Sequence, residues 1–310
     1  MFIIDAHCDS IEVAAQRKYG IVNPYNYSQK YNQLQMVALF CCWPKEDPKQ
    51  CYDRAVRYIG QFMMCMENEQ DRVMQVKTYA DIEKAFSLGK HAAMITIEGG
   101  SGIMGSPEIL EEFYNIGIRI FGMTWLSNDL AKSNRVHDDG EEDTGLTDVG
   151  RAVVEKGNKL GMIFDVSHIS DNSFWQLAEL SKKPIIATHS NFRALCPHSR
   201  NLTDDMAKEI AKRDGMIGLN LCPAFVHTDK DKQTVDQLLC HLEHGIELVG
   251  EDRIGFGFDI DGIESLPSPL TLDRSIHDQF IEEMQKRGYS DALIKKIAGE
   301  NFLNFLKKYL

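Results

Sequence analysis

The stretch Met162-Ile-Phe-Asp-Val-Ser-His168, followed by Pro184-Ile-Ile-Ala-Thr-His189, decides how this chain folds. Each segment is a short apolar run that ends in a histidine, with a serine within two residues that can start a helix. Runs this short, rich in Ile, Val and Phe, read as strands buried on both faces. Working outward, the same rhythm recurs at Phe2–Asp5, Leu34–Cys42, Ala92–Glu98, Ile118–Trp125, Gly215–Leu221 and Arg253–Asp259. Helical stretches lie between the runs. Asp148–Leu160 follows the turn residues Gly145-Leu-Thr147 and stops at Gly161. Thr203–Arg213 opens on Thr-Asp-Asp, and Thr234–Val249 stops at Gly250. These are N-cap residues and C-terminal glycines where helices need them.

Strand and helix alternating through eight runs predict an α/β fold, a (β/α)8 TIM-like barrel, with its reactive groups at the C-terminal strand ends. We expect one domain over 1–310, with the barrel over about 1–265 and extra C-terminal helices over about 270–310. Charged residues make up 26% of the 310 and hydrophobic ones 43%, as in an ordinary water-soluble protein. The net charge of −12 excludes a general nucleic-acid binder, because neutralising phosphates needs a basic face. No apolar run reaches the roughly 18 residues of a membrane helix, and no secretory leader or lipid-anchor tail is visible, so the expected location is cytoplasmic, away from the membrane. The eight cysteines include no C-x-x-C pair and sit mostly in apolar strings, as buried small hydrophobes of a reducing compartment do. The acidic run Asp138–Asp143 reads as a solvated loop.

The reactive side chains gather at strand ends. The first run leads into His7-Cys-Asp9, whose outer two residues project to one side. The third run ends at Glu98-Gly-Gly100, a carboxylate that needs a partner if buried, beside glycines that let backbone approach. His168 and His189 close successive runs, and Asp259 follows Gly-Phe-Gly-Phe. Neutral imidazoles and carboxylates meeting at a strand-end mouth suit Zn2+. Five ligands exceed one tetrahedral zinc and suit two ions sharing a carboxylate, with Glu98 as the natural bridge beside a water or hydroxide. Asp259 would then carry the proton to the leaving group.

Assembled in this order, the residues resemble the membrane dipeptidase (renal dipeptidase) family of zinc peptidases. The likeness includes Asp5-Ala-His-Cys-Asp9, Ile97-Glu-Gly-Gly100 and the block from Gly145-Leu-Thr to Phe164-Asp-Val-Ser-His168-Ile-Ser170. It continues through Thr188-His-Ser190, Ser199-Arg-Asn-Leu202 and Gly255-Phe-Gly-Phe-Asp259-Ile-Asp-Gly262. The resemblance implies two Zn2+ ions per chain. His7, Asp9 and Glu98 would hold one, and Glu98, His168 and His189 the other. It makes Asp259 the catalytic acid/base and Arg200 the receptor of the substrate's C-terminal carboxylate, a task suited to a planar guanidinium fork. A symmetric homodimer is implied in the same way.

Two features depart from the animal members. Their fourth strand ends in Leu-Thr-His, whose imidazole contacts the scissile carbonyl oxygen, whereas Met123-Thr-Trp125 stands here. An indole donates one hydrogen bond and carries no charge, so the oxyanion would fall to the metal, Trp125 or nearby Asn128. Secretion and lipid anchoring, known in that family, have no signal here, as expected of a bacterial-type soluble member. The expected activity is hydrolysis of free dipeptides by a metal-bridging hydroxide. A related binuclear metallohydrolase acting on N-acyl amino acids or lactams is the first alternative, because fold does not set substrate. A catalytically inactive barrel serving as a binding or scaffold protein is the second, disfavoured because every ligand position is filled. Barrel hydrolases built on H-x-H and a carboxylated lysine are disfavoured by Asp9 and Glu98.

Overall fold

The computed structural model describes residues 1–17 and 20–310, apart from the side chain of Arg17. Its strands are β1 (Ile3–Cys8), β2 (Gln33–Phe40), β3 (Val73–Gln75), β4 (His91–Glu98), β5 (Ile120–Gly122), β6 (Ile163–Asp165), β7 (Ile217–Leu219) and β8 (Ile254–Phe256). All their pairings are parallel, in the order β6-β5-β4-β2-β1-β8-β7. Single bridges Asp165–Ile186 and Ala187–Ile217 insert the Pro184–His189 run between β6 and β7 and close the ring. The eight apolar runs therefore become the eight staves of a (β/α)8 barrel. β3 is extra, three residues alongside the start of β4. It carries too short a pattern to be read from sequence.

Side chains alternate between two apolar environments, as strands buried on both faces require. Ile4, Ala6, Leu34, Met36, Ala92, Met94, Ile120, Ile163, Ile186 and Met216 form one cluster, which fills the lower lumen. Ile3, Val37, Leu39, Ala93, Ile95, Ile97, Phe121, Phe164, Ile217 and Ile254 belong to another, packed on the surrounding helices. Following the lumen parity up β4 leads from Ala92 and Met94 to Thr96 and Glu98. The upper lumen is thus polar where the lower is apolar.

The helices expected from caps form within a residue of their expected ends. Asp148–Leu160, Asp204–Lys212 and Val235–Val249 are each preceded by a threonine whose hydroxyl accepts a backbone N–H of the first turn. Gly161 ends the first of these in the left-handed region at φ 80°. After β8 come helices Ile276–Lys286, Asp291–Lys295 and Asn301–Tyr309. Phe302, Phe305 and Leu306 of the last join the lumen cluster, as do Ile82 and Ala85 of Tyr79–Ser87. These two helices stopper the N-terminal end of the barrel, opposite the strand-end mouth. Gly255 makes room for the stopper, since a Cβ there would lie 2.6 Å from the Phe302 ring. Among the described residues no helix is long and apolar enough to cross a membrane.

Phe302 is completely buried and has no substitute for its volume. Phe302→Ala should lower unfolding free energy by about 3–5 kcal/mol, the range for deleting a buried aromatic ring. Urea denaturation of the two proteins measures it, and an unchanged midpoint would show that the stopper carries no load.

Candidate metal centre

β1 delivers two of the polar side chains by breaking its own alternation. Asp5 pairs with Gln35 but Cys8 with Val37, so one extra residue lies in β1. Without this bulge Cys8 would share the lumen parity of Ile4 and Ala6. With it, Cys8 packs outward and His7 and Asp9 turn inward. Asp5 holds the bulge: its Oδ1 accepts from His7 N at 3.2 Å and Phe258 N at 2.9 Å, and its Oδ2 meets His277 Nε2 at 2.6 Å. Glu98 arrives by unbroken alternation at the end of β4. His168 and Asp259 follow β6 and β8 with φ of 67° and 60°, a conformation that costs a non-glycine residue of order 1–3 kcal/mol and clusters at functional sites. Gly262 closes over the group, because a Cβ there would lie 2.2 Å from Asp9 and 2.4 Å from Asp259.

The side chains converge. Glu98 Oε2 lies 3.3 Å from His7 Nε2, while Oε1 lies 2.9 Å from His168 Nε2 and 3.7 Å from His189 Nε2. One carboxylate therefore faces two sets of imidazoles with different oxygens. His7 Nε2 is also 3.5 Å from Asp9 Oδ2 and 3.7 Å from Asp259 Oδ1. The His7 and His189 rings stack at 3.7 Å, and the Nε2 atoms of His168 and His189 approach to 3.1 Å. Two triads have donor atoms within 4.8 Å of one another: His7, Glu98 and His189, and His7, Asp9 and Asp259. These groupings share members with the two expected ligand sets without coinciding with them.

Buried His7 Nε2 and Asp9 Oδ1 have no hydrogen-bond partner. Electrostatics point the same way. Burial pushes His7 towards the neutral form, but Glu98 and Asp9 outweigh it and lift its pKa well above normal. Burial, followed by Glu98, raises Asp9. Burial also acts against Glu98 ionising, yet His7 and His168 hold its carboxyl below the usual range. Burial, with Arg200 nearby, brings His168 down to about 3, and His189 is lowered well below normal chiefly by burial. The carboxylates demand a cation, and the two low imidazoles supply neutral nitrogen. Orphaned donor atoms, two neutral imidazoles and three carboxyl groups in one buried space fit a divalent metal.

Asp259 differs from the others. Its Oδ2 accepts from Asn220 Nδ2 at 2.9 Å, and burial is the main cause that pushes its carboxyl up to about 6, against His7. Arg200 is buried, with Nη1 donating to Ser190 Oγ and Nη2 to His189 O, each at 2.7 Å. Its Nε has no partner. Trp125 stands edge-on to Phe40 at 5.0 Å, 6.2 Å from the His168 ring, with the Arg135 guanidinium 4.5 Å over its outer side. It forms a wall beside the cluster. Asn128 Oδ1 accepts from Leu130 N and Ala131 N, and one proton of its Nδ2 goes to Met123 O, so the side chain is held by its own loop backbone. The acidic run also does more than face water, since Asp143 accepts from Ser170 Oγ and Asn172 N.

Asp5, Asp165, Thr188, Ser190 and Asn220 support these groups and were not singled out from the sequence. Asp5, Asp165, Thr188 and Ser190 lie within three residues of a strand-end candidate, inside the quoted motifs, whereas Asn220 is one polar residue inside the run Gly215–Leu221.

The profile of the family described as membrane dipeptidase (peptidase family M19) matches residues 2–309. A Klebsiella pneumoniae protein, described as an uncharacterized protein in the pqqA 5' region, is 35% identical over 234 residues, 74% of this chain and 86% of that one. Among solved structures, a metallopeptidase from Rhodobacter sphaeroides, liganded with a phosphinate mimic of the dipeptide L-Ala-D-Ala, superposes with a TM-score of 0.87 at 22% identity, covering 100% of this chain and 99% of that chain. The probable dipeptidase PvdM from Pseudomonas aeruginosa gives 0.80 at 21% identity, covering 89% and 86%. At these identities the structures show a shared fold.

Metal should stabilise the folded chain, since the unfolded chain has no such cluster. At a zinc concentration about a hundred times Kd the gain is about 2.7 kcal/mol, a rise in Tm on the order of 5 °C. Glu98→Gln should remove most of that rise and lower the metal content of purified protein while leaving it folded. Scanning fluorimetry with chelator or zinc, plus elemental analysis, measures both. An undiminished rise in the variant would exclude Glu98 from the centre.

Proposed function

The chain belongs to the membrane dipeptidase family, peptidase family M19, hydrolases of peptide bonds, and from that premise we propose that it is a zinc-dependent dipeptidase cleaving free dipeptides. The observation that carries this reading is the divided carboxylate of Glu98, one oxygen towards His7 and the other towards His168 and His189. His7, Asp9 and Glu98 would hold one zinc ion, and Glu98, His168 and His189 a second. When bound, the pair supplies a water acidified towards a pKa of about 7 as nucleophile and polarises the scissile carbonyl.

This chain's residues do the rest. Asp259, buried and steadied by Asn220, takes the proton of the attacking water at Oδ1 and returns it to the leaving amine. A carboxyl held by a single amide at Oδ2 keeps Oδ1 free for both directions of that transfer. Arg200 receives the substrate's terminal carboxylate through its unpartnered Nε edge. A buried guanidinium without an ion pair among the described residues calls for an anion. The substrate amino group lies towards the carboxylate-rich side of the cluster, and Trp125 with Phe40 closes the pocket on the apolar side. The dipeptide mimic bound by the Rhodobacter sphaeroides metallopeptidase supports a substrate of that size.

The test uses L-L and L-D dipeptides, their C-terminal amides and their N-acetyl forms. Free dipeptides should be hydrolysed in strong preference to amides. Charge-assisted hydrogen bonds contribute about 1.5–3 kcal/mol, so Arg200→Ala should lose roughly tenfold to a hundredfold in kcat/KM and most of that preference. Asp259→Asn should keep its metal and substrate binding while kcat falls at least about a hundredfold. Cleavage of N-acetyl compounds with free dipeptides untouched would move the reading to an acyl-amino-acid hydrolase.

A further inference from the structure

Behind His189, away from the cluster, lies a buried polar chain. Asp165, Ser167, Thr188 and His189 are all at most 4% exposed. Asp165 Oδ1 accepts two backbone amides, Ser167 N at 2.9 Å and Thr188 N at 3.0 Å. Its Oδ2 accepts from Thr188 Oγ1 at 2.5 Å, and Thr188 Oγ1 lies 2.7 Å from His189 Nδ1. Ser167 Oγ accepts from His189 N at 3.2 Å and reaches Thr188 Oγ1 at 3.3 Å.

We propose that Asp165 and Thr188 are positioning residues that set the tautomer of His189, holding its proton on Nδ1 so that Nε2 presents a lone pair to the cluster. The argument is a count of protons. A carboxylate only accepts, so the single hydroxyl proton of Thr188 points at Asp165. The hydroxyl oxygen must then accept from His189, which requires the proton on Nδ1. Nε2 is left bare, facing His168 Nε2 at 3.1 Å and Glu98 Oε1 at 3.7 Å. A metal-ligating histidine needs this state, and the group behind it usually sets it. Here a hydroxyl stands between carboxylate and imidazole. The platform is rigid, because Gly218 and Gly257 press on the Thr188 carbonyl so closely that a Cβ would come within 2.0 Å and 1.8 Å of it. The part of the inference that concerns metal rests on the dipeptidase reading. The tautomer does not.

The direction of the relay gives an unusual test. In Asp165→Asn the amide oxygen must take the Oδ1 place, where two N–H groups point. Its NH2 then faces Thr188 and donates. The hydroxyl turns its proton to His189 Nδ1, and the imidazole proton moves to Nε2, where it blocks coordination. Thr188→Val cuts the relay, and Thr188→Ser keeps it. Histidine 15N spectra of the chelator-stripped full chain, with His189 assigned by a His189→Gln variant, should show Nδ1–H in wild type and Thr188→Ser and Nε2–H in Asp165→Asn. Zinc affinity, measured by chelator competition, should fall about tenfold to a hundredfold in Thr188→Val, the usual range for such supporting groups, and further in Asp165→Asn. Thr188→Ser should stay within about threefold of wild type.

An Nε2–H signal in the wild type overturns the proposal. So does an Asp165→Asn protein with unchanged tautomer and zinc affinity. If Asp165→Asn does not fold, the Thr188 pair decides, and equal zinc affinity for valine and serine overturns the relay. A wild type that binds no zinc yet shows Nδ1–H supports the relay and sinks the metal reading instead.

Discussion

Carboxylates from three strand ends share a buried space, and that repulsion is what the upper half of the barrel is arranged to contain. Donor oxygens of Asp9 and Asp259 lie within 4.8 Å of each other and of His7 Nε2. Two ionised carboxylates at that distance repel by about 3–4 kcal/mol at an effective dielectric of 20, before the cost of taking them out of water. Hydrogen bonds relieve only part of this, since Asp9 Oδ1 has none. A proton on His7 is the smallest cation that balances the charge. On the dipeptidase reading, a divalent ion would balance it better, with the neutral nitrogens of His168 and His189 among its donors. Left-handed backbone at His168 and Asp259 is strain that persists because neighbours over-determine it. Asn134 N and Thr124 Oγ1 both bond the His168 carbonyl, and Asp259 N bonds the carbonyl of His7.

A cluster under such repulsion needs a stiff frame, and the lower barrel supplies it. Ile4, Met36, Met94 and Ile163 fill the lumen beneath the polar layer, and Phe302 seals the far end. Water cannot reach the carboxylates from below, which keeps their interactions strong. The joint between β1 and β8 is locked by one side chain, Asp5, which bonds the His7 amide of β1, the Phe258 amide just past β8 and the imidazole of His277 from helix Ile276–Lys286. The C-terminal helices thus reach the chemistry twice, through Phe302 from beneath and through His277 from the flank.

Much of this was legible in the residues themselves. Eight apolar runs name the eight staves, and the polar residues that end five of them, Asp5, Glu98, His168, His189 and Asp259, mark the active end. The rest escaped for physical reasons. A strand buried on both faces has no hydrophobic alternation, so nothing in Ile3–Cys8 announces the bulge that turns His7 and Asp9 inward. β3 is too brief for any period to show. Asp165 and Thr188 meet across 23 positions and Asn220 and Asp259 across 39, and pairings at such separations are invisible to local pattern. The bonds that tie Asn128 to its own loop backbone were equally hidden, since a loop asparagine serves backbone or ligand with the same groups.

The segment Thr188-His-Ser190 connects the two halves of the site. His189 belongs to the cluster, while its carbonyl and the Ser190 hydroxyl hold the two terminal nitrogens of Arg200. The candidate carboxylate anchor and a candidate metal ligand are therefore referenced to the same three residues, whose carbonyl at Thr188 is wedged against glycine backbone. The gap between anchor and cluster cannot open without breaking buried hydrogen bonds on both sides of it. On the dipeptidase reading, that gap is the measure of the substrate. A dipeptide has one residue between its scissile carbonyl and its terminal carboxylate, and a longer chain with that carbonyl at the cluster would carry its carboxylate past Arg200. Selection for length then needs no lid, because a longer peptide forfeits the charge-assisted contact that a dipeptide makes.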